Sequence, residues 1–323
     1  MSNKRQRKII KYLLIGSGIV FVGIITLFTI DRYSSNRSVN FRIEGNYVQI
    51  NRAKKWQDFI VREASLYHAS QVNDDDNRGV NPENNTGNSI AEAGWSKDQY
   101  SRWFKQLAAG DSNVVRINTI LPPVFYRAFF EYNILTNRPL YLLHGIRLDE
   151  QNIRKYSNAY EDKLNSDFFE EIRRTVDVVH GKATFKHLNG ASTTYNMNIA
   201  PYVMGYMLCE SADADFMAGT NQKNPHVMGF EGDYLYTRNA SPYEAWLAAV
   251  GNYTISYEQE KYGGVFRLVS WTNWTSIVQL EKLDDDDETE FEEVMSVNFN
   301  NIQSTEKFSA GILATHHFIA GIY

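Results

Sequence analysis

The chain has 323 residues, 43% hydrophobic and 22% charged, a balance that supports a full core and excludes global disorder. The formal net charge of −5 at pH 7 removes the electrostatic case for nucleic acid, which needs a basic patch or stripe. A single cysteine, Cys209, excludes an intramolecular disulfide, and the 14% aromatic content fits either an aromatic-rich core or a cleft whose rings stack on sugars.

At the N-terminus, Lys4, Arg5, Arg7, Lys8 and Lys11 precede an uncharged run from Tyr12 to Ile30. That is about the 20 residues a helix needs to cross the hydrocarbon core. The pattern predicts a cytoplasmic basic tail over 1–11 and a transmembrane anchor over 12–30. The positive flank keeps the N-terminus inside, so the rest of a single-pass cell-membrane protein is extracytoplasmic. A cleaved signal peptide shares the charged start, but the run is long for one and no A-x-A-like site follows. Residues 31–55 are polar and mixed in charge, which suits a juxtamembrane stalk with room for one strand. Asn84, Asn252 and Asn273 each begin an N-x-T acceptor pattern, relevant only in a eukaryotic host.

From Trp56 to the end the apolar pattern becomes regular. "DFIVREASLY" predicts a strand, and "NDDDNRGVNPENNTGN" a long loop. Ser96 and Gln99 form a capping box ahead of Tyr100, Trp103, Phe104, Leu107 and Ala108 at helical spacing, with Gly110 as the stop. "NVVRINTI" is rich in β-branched residues and predicts the second strand. Pro122 and Pro123 open a helix with Phe125, Ala128, Phe129 and Tyr132 on one face. "RPLYLLHGI" predicts a third strand, and Leu164, Phe168, Ile172, Val176 and Val179 mark a third helix. "YVMGYML" is a fourth strand, ending at Cys209 and Glu210. A loop of about thirty residues follows, then a helix with the stripe Tyr243, Trp246, Leu247, Val250, Tyr253, Thr254 and Tyr257. "VFRLVSWTNW" is the fifth strand, "EKLDDDDETEFEE" an acidic loop, and "AGILATHHFIAGIY" the last apolar run.

Strands alternating with helices imply parallel pairing. A doubly wound sheet would carry a Gly-rich phosphate loop after an early strand, and there is none. Polar and aromatic residues instead gather at strand ends: Tyr67 and His68, Arg116 and Asn118, His144, Glu210, Asn273 and Trp274, His316 and His317. Active sites of (β/α) barrels sit at that end. The expected fold is therefore a TIM-type (β/α) barrel over 56–323, incomplete at about six of its eight strand–helix units, behind a transmembrane helix. No cofactor is expected.

Several segments taken together resemble glycoside hydrolase barrels of the clan that contains the family 2 β-glycosidases. They are "YSRWFKQLAAGDSNVVRINTILPPVFYRAFFEYN", "RPLYLLHGI", "NASPYEAWLAAVGNYTISYEQEKYG" and "SWTNW". Within that clan the chain is similar to membrane-anchored bacterial barrel proteins of family 2 type, from about residue 57 onward. The resemblance implies an acid/base glutamate at the end of the fourth strand, matched by Glu210, and a nucleophile glutamate ending the seventh. Glu210 departs from the pattern in lacking a preceding Asn, and relatives place the acid one residue later, where this chain has Ser211. Arg116 matches the second-strand arginine that orients the nucleophile. His144 falls where third-strand histidines line the sugar site, although a hydrogen-bonded core histidine fits the same apolar run. Asn273 and Trp274 would supply a polar contact and a stacking platform, and His317 matches a sixth-strand histidine.

Retaining hydrolysis needs two carboxyl groups about 5–5.5 Å apart. No E-F-G-like seventh strand follows, so the expectation is a truncated glycosidase-like protein, inactive as given, that acts on or binds a polysaccharide or oligosaccharide. The alternative is a carbohydrate-binding or scaffold module at the cell surface that never performed catalysis. A metal hydrolase has Asp74–Asp76, Asp284–Asp287 and His316–His317 as possible ligands. However, "DDDNRG" lacks the alternating spacing of a calcium loop, and adjacent strand histidines point in opposite directions. A serine hydrolase lacks its G-x-S-x-G elbow.

Overall fold

Short antiparallel strands come first: β1 (Asn40–Glu44), β2 (Tyr47–Arg52) and β3 (Lys55–Asp58) pair in that order. Gly45, at φ 59°, is the first residue of the two-residue β1–β2 turn, a conformation glycine adopts without strain. The underside of this small sheet is apolar, with Phe41 and Ile50 buried and Phe41 packed edge-on against Phe59 and Tyr141. This computed structural model describes residues 40–52, 54–66, 95–187, 190–209, 212, 214–274 and 297–317, all within the unit Val39–Tyr323.

After β4 (Glu63–Leu66) comes α1 (Lys97–Ala109). The Ser96 hydroxyl accepts the Gln99 N–H, the Gln99 side chain accepts the Ser96 N–H, and Gly110 closes the other end. β5 (Val114–Ile117) leads to α2 (Pro123–Leu135), which begins at the second proline, where a missing N–H costs nothing. Next come β6 (Tyr141–Ile146), the short α3 (Glu150–Tyr156) and α4 (Asp162–Val179), which buries Leu164, Phe168, Ile172, Val176 and Val179. A hairpin, β7 (Ala183–Lys186) with β8 (Ser192–Tyr195), precedes β9 (Val203–Leu208).

The predicted thirty-residue loop contains α5 (Ala214–Lys223) and β10 (Leu235–Thr237). A strand of three residues and a helix with Gly and Thr in it leave little periodic signal in sequence. α6 (Pro242–Lys261) then starts at a second capping box, Ser241 with Glu244. β11 (Leu268–Trp274), β12 (Ile302–Ser304), which pairs antiparallel with β10, and β13 (Ile312–His317) complete the described fold.

Six of these strands form one sheet in the order β13-β11-β9-β6-β5-β4, every neighbouring pair parallel. The order is that of the chain, with no reversal and hence no topological switch point. Parallel crossovers are right-handed as a rule, and between successive neighbours that rule carries the helices to one face. The other face meets the N-terminal sheet through Tyr141. β4 and β13 each have one partner among the described strands, so the sheet is open. The expected fold class, a TIM-type barrel, is corrected to α/β with an open six-stranded parallel sheet. The expectation was itself of an incomplete barrel of about six units, and whether such a sheet curls as part of one depends on strand number, tilt and stagger, which no local pattern encodes.

The single-pass membrane assignment is corrected as well. Among the described residues no helix is long and apolar enough to cross a membrane. The run 12–30, expected to do so, lies outside them.

The aromatic content goes largely into the core. Trp246, Trp271, Tyr126, Tyr141, Tyr202, Tyr206, Phe104, Phe125, Phe129 and Phe216 are all fully buried. Each such ring removes enough apolar surface from water to contribute about 2–3 kcal/mol.

Candidate functional site at the strand ends

Arg116 is the third residue of β5 and only 7% exposed. A buried guanidinium needs a counter-charge, and the Glu63 carboxylate on β4 lies 3.7 Å away. Glu63 also accepts a hydrogen bond from the Ser65 hydroxyl at 2.8 Å, and Ser65 is the register partner of Arg116. The arginine is thus held by the edge strand beside it.

Register decides which of the other predicted residues share its face. Arg116 stands opposite Leu143, so Gly145 lies on the same face two residues on. Gly145 pairs with Met207, and Met207 with Ser270. Four residues beyond Ser270 is Trp274, the partner of His317. Arg116, Trp274 and His317 therefore occupy one face near the C-terminal ends of β5, β11 and β13. By this register Trp274 stands six residues further along its strand than Arg116, about 20 Å, and three strand spacings, about 14 Å, to the side, so in a flat sheet only an extended ligand spans both. Asn273, paired with His316, falls on the opposite face.

His144 also falls on that opposite face, the one that carries the helices, with Ile117 as its partner. It is fully buried, and its Nδ1 lies 2.8 Å from the Gly145 carbonyl, which can only accept. Nδ1 therefore carries the proton, and Nε2 accepts from the Tyr126 hydroxyl at 2.9 Å. That hydroxyl accepts the Leu121 N–H, while Tyr195 donates to the Leu121 carbonyl. Burial pulls the His144 pKa down to about 4, against a smaller upward pull from the Gly145 carbonyl. The histidine is a neutral core group that ties β6 to the first turn of α2.

Glu210 lies outside the described residues. Its neighbour Cys209 is buried, sits at φ 62° and donates its N–H to the Ile146 carbonyl. Burial pushes its thiol pKa well up, so it is a poor nucleophile there. Asn252, matched to a glycosylation pattern, sits in α6, where its Oδ1 accepts the Tyr234 and Leu235 N–H groups and so fastens β10 to the helix.

The densest polar cluster among the described residues was not anticipated. Glu258, near the end of α6 and 3% exposed, receives on Oε1 hydrogen bonds from His180 at 2.7 Å, from Tyr206 at 2.9 Å and from Arg267. Arg267, also buried, donates in addition to the Ala200 carbonyl at 2.9 Å. Tyr262 stacks flat on His180 with ring centroids 3.8 Å apart and donates to Asp177, which Lys261 and Tyr257 also contact. Burial pushes the Glu258 carboxyl up, but Arg267 and His180 outweigh it and the net shift is downward. This cluster joins α4, α6, β9 and the entry to β11. Arg267 and Ala200 precede their strands, so it lies toward the end opposite Arg116, away from the carboxyl ends of the strands where open α/β sheets bind ligands. The sequence signal was present: Val250, Thr254 and Glu258 continue one helical stripe, and a charge at the next buried position calls for a partner.

A groove of about 420 Å³ runs between α1 and α2, lined by Lys105, Glu131, Leu135 and Arg138 among others. It lies on the flank of the sheet, away from the strand ends, and gathers no reactive set. In comparisons with known proteins, no family model, no curated protein and no solved structure matches the chain.

Proposed function

We propose that the C-terminal edge of the parallel sheet binds a glycan, in a protein of glycoside hydrolase type. The observation that carries this reading is the register that sets Arg116, Trp274 and His317 on one face across β5, β11 and β13. The Arg116 guanidinium, 3.7 Å from the Glu63 carboxylate, is a donor group of the kind that binds hydroxyls, and an indole is the residue type that covers the apolar face of a sugar. Binding is the part the observation supports. Turnover needs Glu210 together with a second carboxyl about 5–5.5 Å away, and is a separate question.

The test is isothermal titration of the full chain with a panel of neutral oligosaccharides, repeated with Arg116→Lys, which keeps the charge and loses the fork geometry. The expected result is measurable binding that weakens at least about tenfold in the variant, a difference worth ~1.4 kcal/mol. Absence of binding across the panel, or equal binding by the variant, overturns the reading. Release of a chromophore from aryl glycosides would extend it to catalysis.

A further inference from the structure

We propose a second glycan-binding surface, the solvent-facing side of the N-terminal sheet, that holds an extended neutral polysaccharide chain. It rests on the glycan reading of the strand-end site and adds a site to it.

The underside of this sheet is fixed in the core by Phe41 and Ile50, so the outer side is a rigid surface. Register and alternation place Arg42 on β1, Gln49 on β2 and Asp58 on β3 in one row across that outer side. The row is already hydrogen-bonded end to end. Arg42 donates twice to Gln49 Oε1, at 3.1 and 3.0 Å, and Gln49 donates to Asp58 at 3.0 Å. Tyr47 and Trp56 flank the row on the same side, since Gln49 and Asn51 alternate with the buried Ile50 and Asn51 pairs with Trp56. Tyr47 is 65% and Trp56 37% exposed, and the Arg42 guanidinium lies 4.4 Å over the indole. Four residues of strand separate Tyr47 from the Trp56 register position, so the two rings are anchored about 14 Å apart.

The charges decide the occupant. Arg42 is paired with Glu44 at 3.1 Å as well as with Gln49, and Asp58 is held by Gln49. A polyanion would therefore meet two carboxylates and a guanidinium already neutralised. An apolar protein partner would bury the ladder's polar atoms without replacing their contacts with water, which is costly. A neutral polyhydroxylated chain satisfies both halves of the surface. Its sugar-ring faces cover Tyr47 and Trp56, and its hydroxyls exchange bonds with the amide, carboxylate and guanidinium between them.

The experiment is affinity electrophoresis of the full chain through gels containing β-glucan, xylan or galactomannan, with trisaccharide titration alongside. Wild type is compared with Trp56→Ala, Tyr47→Ala and Arg116→Lys. Both aromatic side chains are exposed, so their removal spares the core. The expected result is that Trp56→Ala and Tyr47→Ala each weaken retardation by one polysaccharide at least about fivefold, with trisaccharide affinity unchanged. Trisaccharide binding that persists while both aromatic variants migrate as wild type overturns this surface and spares the strand-end site. Retention of none of the three polymers, or preferential binding of single-stranded RNA over them, also overturns it; loss of trisaccharide binding as well removes both readings.

Discussion

Two histidines of this protein meet tyrosines in opposite ways. His144 lies among Tyr126, Tyr195 and backbone groups, and no carboxylate among the described residues bonds to it. His180 donates to a carboxylate that Tyr206 and Arg267 also bind, and its ring lies flat on Tyr262. The first cluster stays neutral, with desolvation outweighing the Gly145 carbonyl in setting its titration. The second buries a charge, and can do so only because several donors converge on one oxygen. What the contrast teaches is that burial by itself marks neither a site nor a brace. The partners decide whether removing one group costs a hydrogen bond or leaves a charge stranded.

The largest effect should therefore come from the charged cluster. Glu258→Ala leaves Arg267 buried without its counter-ion and should cost about 3–5 kcal/mol. Replacing both, as Glu258→Leu with Arg267→Met, removes the stranded charge and should recover most of that loss. Urea denaturation of the three proteins measures it. A single variant that loses less than about 1 kcal/mol would show that water reaches the guanidinium, and the contrast with His144 would collapse.

A pH series sharpens the comparison next. The His144 pKa is lowered from 6.5 to about 4 in the folded protein, so the unfolded chain takes up the proton first as pH falls. Its contribution is complete above 6.5 and is lost on the way down to about 4, roughly 3 kcal/mol in all. Glu171 on α4 has the opposite sign. Burial raises its carboxyl from 4.5 to about 7, so it favours the folded state while protonated, and that contribution is lost as pH rises through this range. Its side chain is 26% exposed and Arg174 stands 3.8 Å away, so solvent and the cation reduce the effect. The two slopes oppose each other. Glu171→Gln should steepen the acid loss of stability between pH 7 and 4, and an unchanged slope there would remove Glu171 from the account. Glu258, with its pKa depressed, adds a loss only as pH falls below the ordinary carboxylate range.

Much of this fold was legible because its signals are local. Ser96 with Gln99 and the pair Pro122–Pro123 fix helix starts through groups within one turn, and the buried stripes of α4 and α6 follow from spacing. The three-stranded N-terminal sheet, the β7–β8 hairpin, β10 and β12 were not foreseen, since strands of three to six residues with polar outer faces carry too short an alternation. Sheet curvature was not legible for a different reason, being a property of the assembled sheet. Arg116 was readable as a special position, because a charge inside an apolar strand demands a partner. His144 was not, because "RPLYLLHGI" shows a histidine in an apolar run and says nothing of its face. Only the pairing of Arg116 with Leu143 turns His144 toward the helices. Glu258 and Arg267 lie nine residues apart in sequence but on different elements, and their meeting depends on how α6 returns to β11.

The smallest expected difference tests the contrast between the histidines most directly, because it removes the same atom from each cluster. Tyr206→Phe takes one donor from a buried carboxylate, and bonds to charged groups are worth about 1.5–3 kcal/mol. Tyr126→Phe takes a neutral donor from the His144 Nε2 and a neutral acceptor from the Leu121 N–H, two neutral bonds that together contribute about 2 kcal/mol at most. Both hydroxyls are buried on rings that stay in place, so packing is held nearly constant between the two variants. Their urea midpoints should fall in that order. Added salt should leave the gap intact, because the charge involved lies away from the screening ions. If Tyr126→Phe proves the costlier of the two, the histidine and not the carboxylate is the more dependent partner, and the neutral cluster near the C-terminal end of the sheet is the tighter brace.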